Sequence, residues 1–280
     1  MNSGPESTPL SLQTAVAFLP RFRYPPYFDR EITDYNQALL APYGMKFEPA
    51  LTSSSRNFTF AALAEQLLYS APDSLPRPDL VIVAYALPDP HSPEMTLVPH
   101  LSTMLGGQST GFAISEQGLA APFTALRVAD AYARSRRCGS AALFILEQAA
   151  FPYRLPSGRD GDLVDSGVLV FLGQGGSWDV TGARSADPRT GLAELIRVPA
   201  GHCAREVLLV TGPWIDPGAA ALGLKIHQAP PGSYCTSVWL ELARHHQDWA
   251  RDYKTIVLLD TDPGTGVSQA LTLSRTGAQD

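Results

Sequence analysis

Residues able to attack, ligate or shuttle protons are sparse in this chain. Cys235 stands in Gly-Ser-Tyr-Cys-Thr-Ser, just ahead of a predicted helix over about residues 236–250. A helix N-terminus lowers a thiol's pKa and so raises the share of nucleophilic thiolate. A Cys in such a place also serves as a small buried hydrophobe, and packing is the simpler account. Cys203 directly follows His202; neighbours in a loop rarely work as nucleophile and base, so this pair reads as connector. Cys138 opens a strand after Arg136 and Arg137, which could lower its pKa, yet its place fits packing or surface. Residues 107–111 (Gly-Gln-Ser-Thr-Gly) match the G-x-S-x-G elbow letter for letter. That elbow needs a strand before it and a helix after it, and here the order is reversed. His245 and His246 are adjacent and point about 100° apart on a helix. No Cys/His cluster has zinc spacing, so no metal site is expected. The glycine-rich stretches 173–176 and 262–266 lack the Lys-Ser/Thr of a phosphate loop and read as hairpin turns. Glu116 beside Gln117, at the start of another predicted helix, remains: a carboxylate there is stabilised by the helix field, as a cap or as part of a site.

These positions depend on the elements around them. Residues 1–10 read as a loose polar terminus, followed by a strand at 14–18 (Thr-Ala-Val-Ala-Phe). Pro25-Pro26 and two Tyr/Pro pairs make 20–43 an irregular excursion. Phe60, Leu63, Ala64, Leu67 and Leu68 share one helical face, predicting a helix over 58–70 capped by Asn57 or Thr59. The apolar run 80–86, β-branched at its start, predicts a strand buried on both faces, as in a parallel sheet. A helix over 96–105, a strand at 112–115, a helix over 119–134 with Pro122 in its first turn, and a strand at 140–148 follow. Strand, helix and strand in that order form a βαβ unit. Farther on, 168–173 and 177–183 around Gln174-Gly175-Gly176 read as a hairpin, 206–212 as a buried strand, and 255–260 with 267–275 as a second hairpin. Trp239, Leu242, Ala243, His246 and Trp249 give the 236–250 helix its apolar stripe. The chain divides into halves, 1–156 and 157–280, each with a strand–helix–strand core, which reads as an internal duplication.

The chain has 280 residues at 30.1 kDa, enough for a sizeable core without disulfide or metal staples. Lys and Arg number 21 against 27 Asp and Glu, a net charge of −6. That balance argues against nucleic acid as the main partner. No apolar run is long enough to span a membrane, and the first residues lack the basic start and apolar run of a signal peptide. Three cysteines, an odd number in a long chain, read as reduced thiols of a cytoplasmic protein.

The order of elements resembles the thiolase superfamily, and within it the ketosynthase III (β-ketoacyl-ACP synthase III-like) branch. Residues 78–90 resemble the family's strand running into a Pro-Asp loop. Residues 112–147 resemble the segment in which a strand delivers the nucleophile to a buried helix. Residues 206–214 stand where the family keeps its His motif, 230–243 where it keeps Gly-Asn-Thr-Ser, and 255–273 resemble its closing hairpin. The resemblance implies an α/β fold, a five-layer αβαβα arrangement of two similar halves, normally dimeric. It also implies condensation by a Cys that carries the acyl group, with His and Asn donating hydrogen bonds to its oxygens.

Carried over residue by residue, that triad is missing. The nucleophile position falls at Gln117 or Gly118, the His position at Gly212, Pro213 or Trp214, and the Asn position at Gly232 or Ser233. An amide at the nucleophile position forms no thioester. His227-Gln228-Ala229 echoes the family's His-Gln-Ala but comes too late in the chain. The segment after Ile215 is compressed relative to the family. Ser115-Glu116-Gln117 resembles the chain-length factors of type II polyketide systems, ketosynthase-like subunits with Gln in place of Cys. The resemblance therefore implies a degenerate, non-condensing partner of an active ketosynthase in fatty-acid-like or polyketide metabolism. Its partners would be an acyl carrier protein or acyl-CoA, and it would form a homodimer or a heterodimer through strand 112–115, with no cofactor. Gln117 and its neighbours would fill a vestigial acyl pocket. The alternative is an acyltransferase or thioesterase-like enzyme with a relocated nucleophile, Cys235 or Ser115; a third reading keeps an acyl-CoA cleft without chemistry.

Overall fold

The computed structural model describes residues 9–22, 28–53, 56–89, 96–149, 151–153, 163–196, 202–218 and 223–277. The first half contributes strands β1 (Ser11–Phe18), β2 (Leu80–Tyr85), β3 (Thr110–Ile114), β4 (Ala141–Glu147) and β5 (Ser166–Gly173). Its helices are α1 (Arg30–Leu40), α2 (Phe60–Ser70), α3 (Leu97–Met104) and α4 (Ala120–Arg134). The second half contributes β6 (Trp178–Ala186), β7 (Val207–Thr211), β8 (Lys225–Gln228), β9 (Thr255–Thr261) and β10 (Ser268–Arg275), with helices α5 (Leu192–Leu195) and α6 (Ser237–Asp252).

The strands lie in the order β3-β2-β4-β5-β1-β6-β10-β9-β7-β8. Read outward from the β1–β6 junction, both halves repeat one plan. β1 pairs antiparallel with β5 as β6 does with β10, β5 with β4 as β10 with β9, and the parallel pairs β4–β2 and β2–β3 match β9–β7 and β7–β8. The junction itself is short, Ser11 opposite Asp179 and Leu12 opposite Trp178. The duplication read from the sequence is thus present in the strand pairing.

Alternation along each strand assigns the layers, because successive side chains leave a strand on opposite faces. Leu80, Ile82 and Ala84 of β2 and Ala141, Leu143 and Ile145 of β4 join the central core, whereas Val81, Val83, Ala142, Phe144 and Leu146 join an outer core under α2 and α3. In the second half Leu208, Val210, Ile256 and Leu258 face the centre, and Val207, Leu209, Val257 and Leu259 face outward toward α5. The central layer is α4 and α6, which meet edge-on through Phe123 and Trp239 with ring centroids 5.1 Å apart. Helix, sheet, helix, sheet, helix is the five-layer αβαβα arrangement that the resemblance implies. The fifth layer is thin: α5 has four residues, and among the described residues no helix stands between β7 and β8, where the first half has α3.

Three expectations need correction. Residues 30–40 of the supposed irregular excursion form α1. Asp29 caps it by accepting the Ile32 N–H at 2.8 Å, and Ile32, Asn36 and Leu40 are buried at i, i+4, i+8. The nearby prolines masked that spacing, and 23–27 lie outside the described residues. Second, β5 and β6 form no hairpin with each other; β5 lies between β1 and β4 and β6 between β1 and β10. The Gln174–Gly176 turn carries the chain from one half-sheet to the other. Third, α5 and β8 are not foreseen in the sequence; α5 is a single turn, and β8 is exposed at both ends and half-buried between them, without an apolar run. The division at 156/157 lies outside the described residues. By pairing, the first strand set runs through Gly173 and the second opens at Trp178.

Candidate functional site

In open α/β sheets ligands gather beyond the carboxyl ends of parallel strands. Here those ends come from both halves to one place: β3 leads into 115–118, β4 ends at Glu147, β7 leads into 212–214, and β9 ends at Asp260–Asp262. The start of α6 completes it. All the degenerate-site positions lie in these segments.

The turn from β3 into α4 is left-handed at Glu116 (φ 61°) and Gly118 (φ 55°). Few L residues adopt that conformation, and such strain clusters at functional turns. Ser115 is half-buried, and Glu116 and Gln117 are exposed. The Gln117 amide turns back along α4, where its Oε1 accepts the Thr124 hydroxyl at 2.7 Å. It therefore does not fill the interior, as had been expected of it. That work falls to other residues. A Cβ on Gly118 would overlap the Tyr234 hydroxyl and the Asp262 carboxylate, and one on Gly212 would overlap Asp260. Two of the candidate positions, Gly118 for the nucleophile and Gly212 for the His, are thus glycines with a side chain from elsewhere in the space a Cβ would need.

The group that fills the centre is one hydrogen-bonded network. The Tyr234 hydroxyl donates to Asp262, and the Ser237 hydroxyl donates to Asp260. Glu147 accepts the Tyr234 N–H at 2.9 Å, the Thr236 N–H at 3.2 Å and the Thr236 hydroxyl at 2.7 Å. Asp262 also accepts the N–H groups of Gly264 and Thr265, which shapes the tight β9–β10 turn. Glu147, Asp260 and Asp262 are all buried. Burial pushes the Glu147 carboxyl up against the pull of its donors. It pushes Asp260 up to about 7, with Glu147 and Asp262 adding like-charge repulsion.

The remaining positions surround this network. Trp214 is 40 % exposed and stands edge-on to Tyr234, centroids 5.8 Å apart. Pro213 is half-buried, and Gly212 donates its N–H to Leu259 O at 2.9 Å. Ser233 is buried, and Gly232 (φ 110°) accepts the Val164 N–H at 2.8 Å. Cys235 is 2 % exposed with Sγ 3.5 Å from Leu146 O. Burial, then the Glu147 charge, hold its thiol well above the usual range, the reverse of thiolate activation. Cys138 is buried, with its thiol raised for the same first reason, and Cys203 is exposed. His246 is buried, with Nδ1 3.1 Å from Leu242 O, and burial pushes its imidazole down. It is a packed core side chain.

Sequence reasoning missed Glu147, Asp260, Asp262, Tyr234 and Ser237. A signal for the acids was present: Leu-Phe-Ile-Leu-Glu and Ile-Val-Leu-Leu-Asp each end an apolar strand on a carboxylate, where charge is costly unless partnered. It also missed a second cluster, since His227, Glu241 and His245 come together although no His/Cys spacing announces them. An apolar cleft of about 340 Å³, lined by Phe60, Tyr85, Leu97 and Val98, lies apart from both, under α2 and α3 on the outer side of the first sheet.

No family model and no curated protein matches this chain. Solved structures do. The chain is similar to 3-oxoacyl-(acyl carrier protein) synthase III, FabH, from Pseudomonas aeruginosa, at TM-score 0.61 and 16% identity over 95% of this chain and 98% of that one. It is similar to a variant of OleA from Xanthomonas campestris at 0.61 and 15%, over 96% and 98%. The 3-oxoacyl-[acyl-carrier-protein] synthase III of Aquifex aeolicus aligns at 0.61 and 14%, over 95% and 99%. With the repeated strand plan and the five layers, these likenesses show that the chain shares the fold of these synthase III and OleA structures.

Proposed function

We propose that this protein is a non-condensing member of the ketosynthase III-like group, acting as partner to an active ketosynthase on acyl chains carried by an acyl carrier protein or CoA. The observation that carries this reading is the filled centre. None of the candidate positions for the nucleophile (Gln117 or Gly118) or the His (Gly212, Pro213 or Trp214) carries the residue the chemistry needs, and at Gly118 and Gly212 the Tyr234, Asp262 and Asp260 side chains occupy the space a side chain would need. Condensation requires a thiolate there and donors aimed at the thioester oxygen; the carboxylates present would repel a developing oxyanion. The β3 edge of the sheet supports the pairing half of the proposal. Thr110, Gly111 and Ala113 are exposed, and among the described residues β3 pairs with no strand but β2. An open edge strand is a ready template for another chain. Cys235, the rival nucleophile, is buried with its thiol held protonated.

The test is intact-mass spectrometry after incubation with acetyl-, malonyl- and longer acyl-CoA, together with size analysis of the chain alone and co-expressed with ketosynthases. The expected result is no covalent acyl mass and a stable complex with one ketosynthase. An acyl adduct that maps to Cys235 or Ser115 and vanishes on replacing that residue with Ala would overturn the reading. So would a stable monomer that ignores every ketosynthase offered.

A further inference from the structure

On the second half, β8 and α6 bring three metal-ligand side chains to one point. Glu241 and His245 are four residues apart on α6 and so stack on one face of the helix. His227 arrives from β8, the edge strand of that half. His227 Nε2 is 2.6 Å from Glu241 Oε2, His245 Nε2 is 3.7 Å from the same oxygen, and the three ligand atoms lie within 4.8 Å of one another. The Glu241 side chain is 5% exposed, the two imidazoles 32% and 39%. The other carboxylate oxygen, Oε1, is held by Arg244 at 2.6 Å. Trp249 packs on both rings, at 5.2 Å from His227 and 5.3 Å from His245.

We propose that His227, Glu241 and His245 form a site for a zinc-class divalent cation. The donor set is two imidazole nitrogens and one carboxylate oxygen, which suits zinc and its neighbours and not the oxygen-seeking calcium or magnesium. Zinc holds such ligands at about 2.0–2.2 Å in a tetrahedron, which puts ligand atoms roughly 3.3 Å apart. Separations of 2.6 and 3.7 Å bracket that value and the remaining pair lies within 4.8 Å, so seating the ion takes a closing of at most about 1.5 Å between partly exposed rings.

Hydrogen bonding alone leaves the cluster incomplete. Both imidazoles aim at one oxygen, and the second, at 3.7 Å, lies beyond hydrogen-bond length. A cation between the three serves all of them and displaces the proton shared by His227 and Glu241. The rest of the setting has the form of outer-sphere support: Arg244 fixes the carboxylate by its far oxygen and Trp249 fixes the ring planes, leaving Oε2 and both nitrogens turned inward. The exposed side of the rings gives the ion an entry path and leaves a fourth position for water.

The experiment uses the full-length protein freed of metal with a chelator and titrated with Zn²⁺ alone, against a chromophoric competitor and by calorimetry. One equivalent should bind, with a rise in Tm that grows with free Zn²⁺. His227→Ala and His245→Ala should each weaken binding at least about a hundredfold, while Cys203→Ser, which removes the exposed thiol beside His202, should leave it unchanged. Co²⁺ in place of zinc should give the intense d–d bands of a four-coordinate ion. Because Glu241 is buried and its loss could unfold the chain, the two His variants decide. Circular dichroism matching the parent protein confirms that each is folded. No saturable binding up to about 100 µM Zn²⁺, or binding that survives both His replacements, or binding lost with Cys203→Ser, would each overturn the site.

Discussion

The two central helices occupy equivalent places in the two halves, and they begin in opposite ways. α4 starts from an open polar turn: Glu116 and Gln117 face solvent, Leu119 offers no side-chain cap, and the first N–H groups make backbone bonds to Gln117 O and Gly118 O. α6 starts against buried acids. Tyr234 and Thr236 give their N–H groups to Glu147, and Ser237 gives its hydroxyl to Asp260. Negative charge is favoured at a helix N-terminus, which offsets part of the cost of burying these carboxylates. The difference teaches where each end's residues work. The α6 start is tied into the interior by buried acids, whereas the α4 start faces solvent.

Replacing an acceptor at the α6 start should have the largest effect. Glu147→Ala strands two buried N–H groups, for which roughly 3 kcal/mol of stability is expected to be lost, read from urea unfolding. Glu147→Gln keeps an acceptor oxygen and should lose less than half as much. Equal losses in the two variants would mean that side-chain volume, not hydrogen bonding, holds this end of the helix.

A second way to sharpen the comparison is pH. Asp260 titrates at about 7 in the folded chain, against about 3.9 for an unfolded Asp. Between those values the folded state holds the proton that the unfolded state has released. Stability from this group is therefore greatest below about pH 4, falls as pH rises, and is level above about pH 7. The full span is on the order of 4 kcal/mol, at 1.4 kcal/mol per unit. Asp260→Asn should remove that slope, so unfolding midpoints compared at about pH 5 and about pH 8 should differ in the parent protein by more than in the variant. The same difference in both would show that the carboxyl is charged when buried, and that the α6 field outweighs the repulsion from Glu147 and Asp262.

The buried strands were legible because a sheet covered on both faces must be apolar at every position; β2, β4, β7 and β9 show this as unbroken runs. α2 was legible apart from the choice of cap, since of the two candidates, Asn57 and Thr59, it is Thr59 that accepts the Ala62 N–H. The missed pieces share one physical cause. α1 is held by three buried residues amid prolines, and β6 is paired by strands far away in sequence. The central network likewise joins residues 87 and 28 positions apart, Glu147 with Tyr234 and Tyr234 with Asp262. Local pattern shows which residues are unusual and not what they touch. It found Gln117 or Gly118, Gly212 to Trp214, and Gly232 or Ser233 as places in a known plan without the expected residues, but could not show that acids and a tyrosine crowd Gly118 and Gly212.

Gln117 carries the smallest expected effect and the most pointed one. It is exposed, and its side chain accepts the Thr124 hydroxyl on α4, which Arg127 also reaches at 3.0 Å. Gln117→Ala should therefore change stability by no more than about 0.5 kcal/mol, the usual range for a surface position. A loss of about 2 kcal/mol, as for a buried polar group stripped of partners, would place the amide inside after all and restore it as the plug of an acyl pocket. If stability holds while affinity for a partner ketosynthase falls, the α4 start is the working surface. The asymmetry between the two helix starts would then be functional, with one end closed by acids so that the other can stay open.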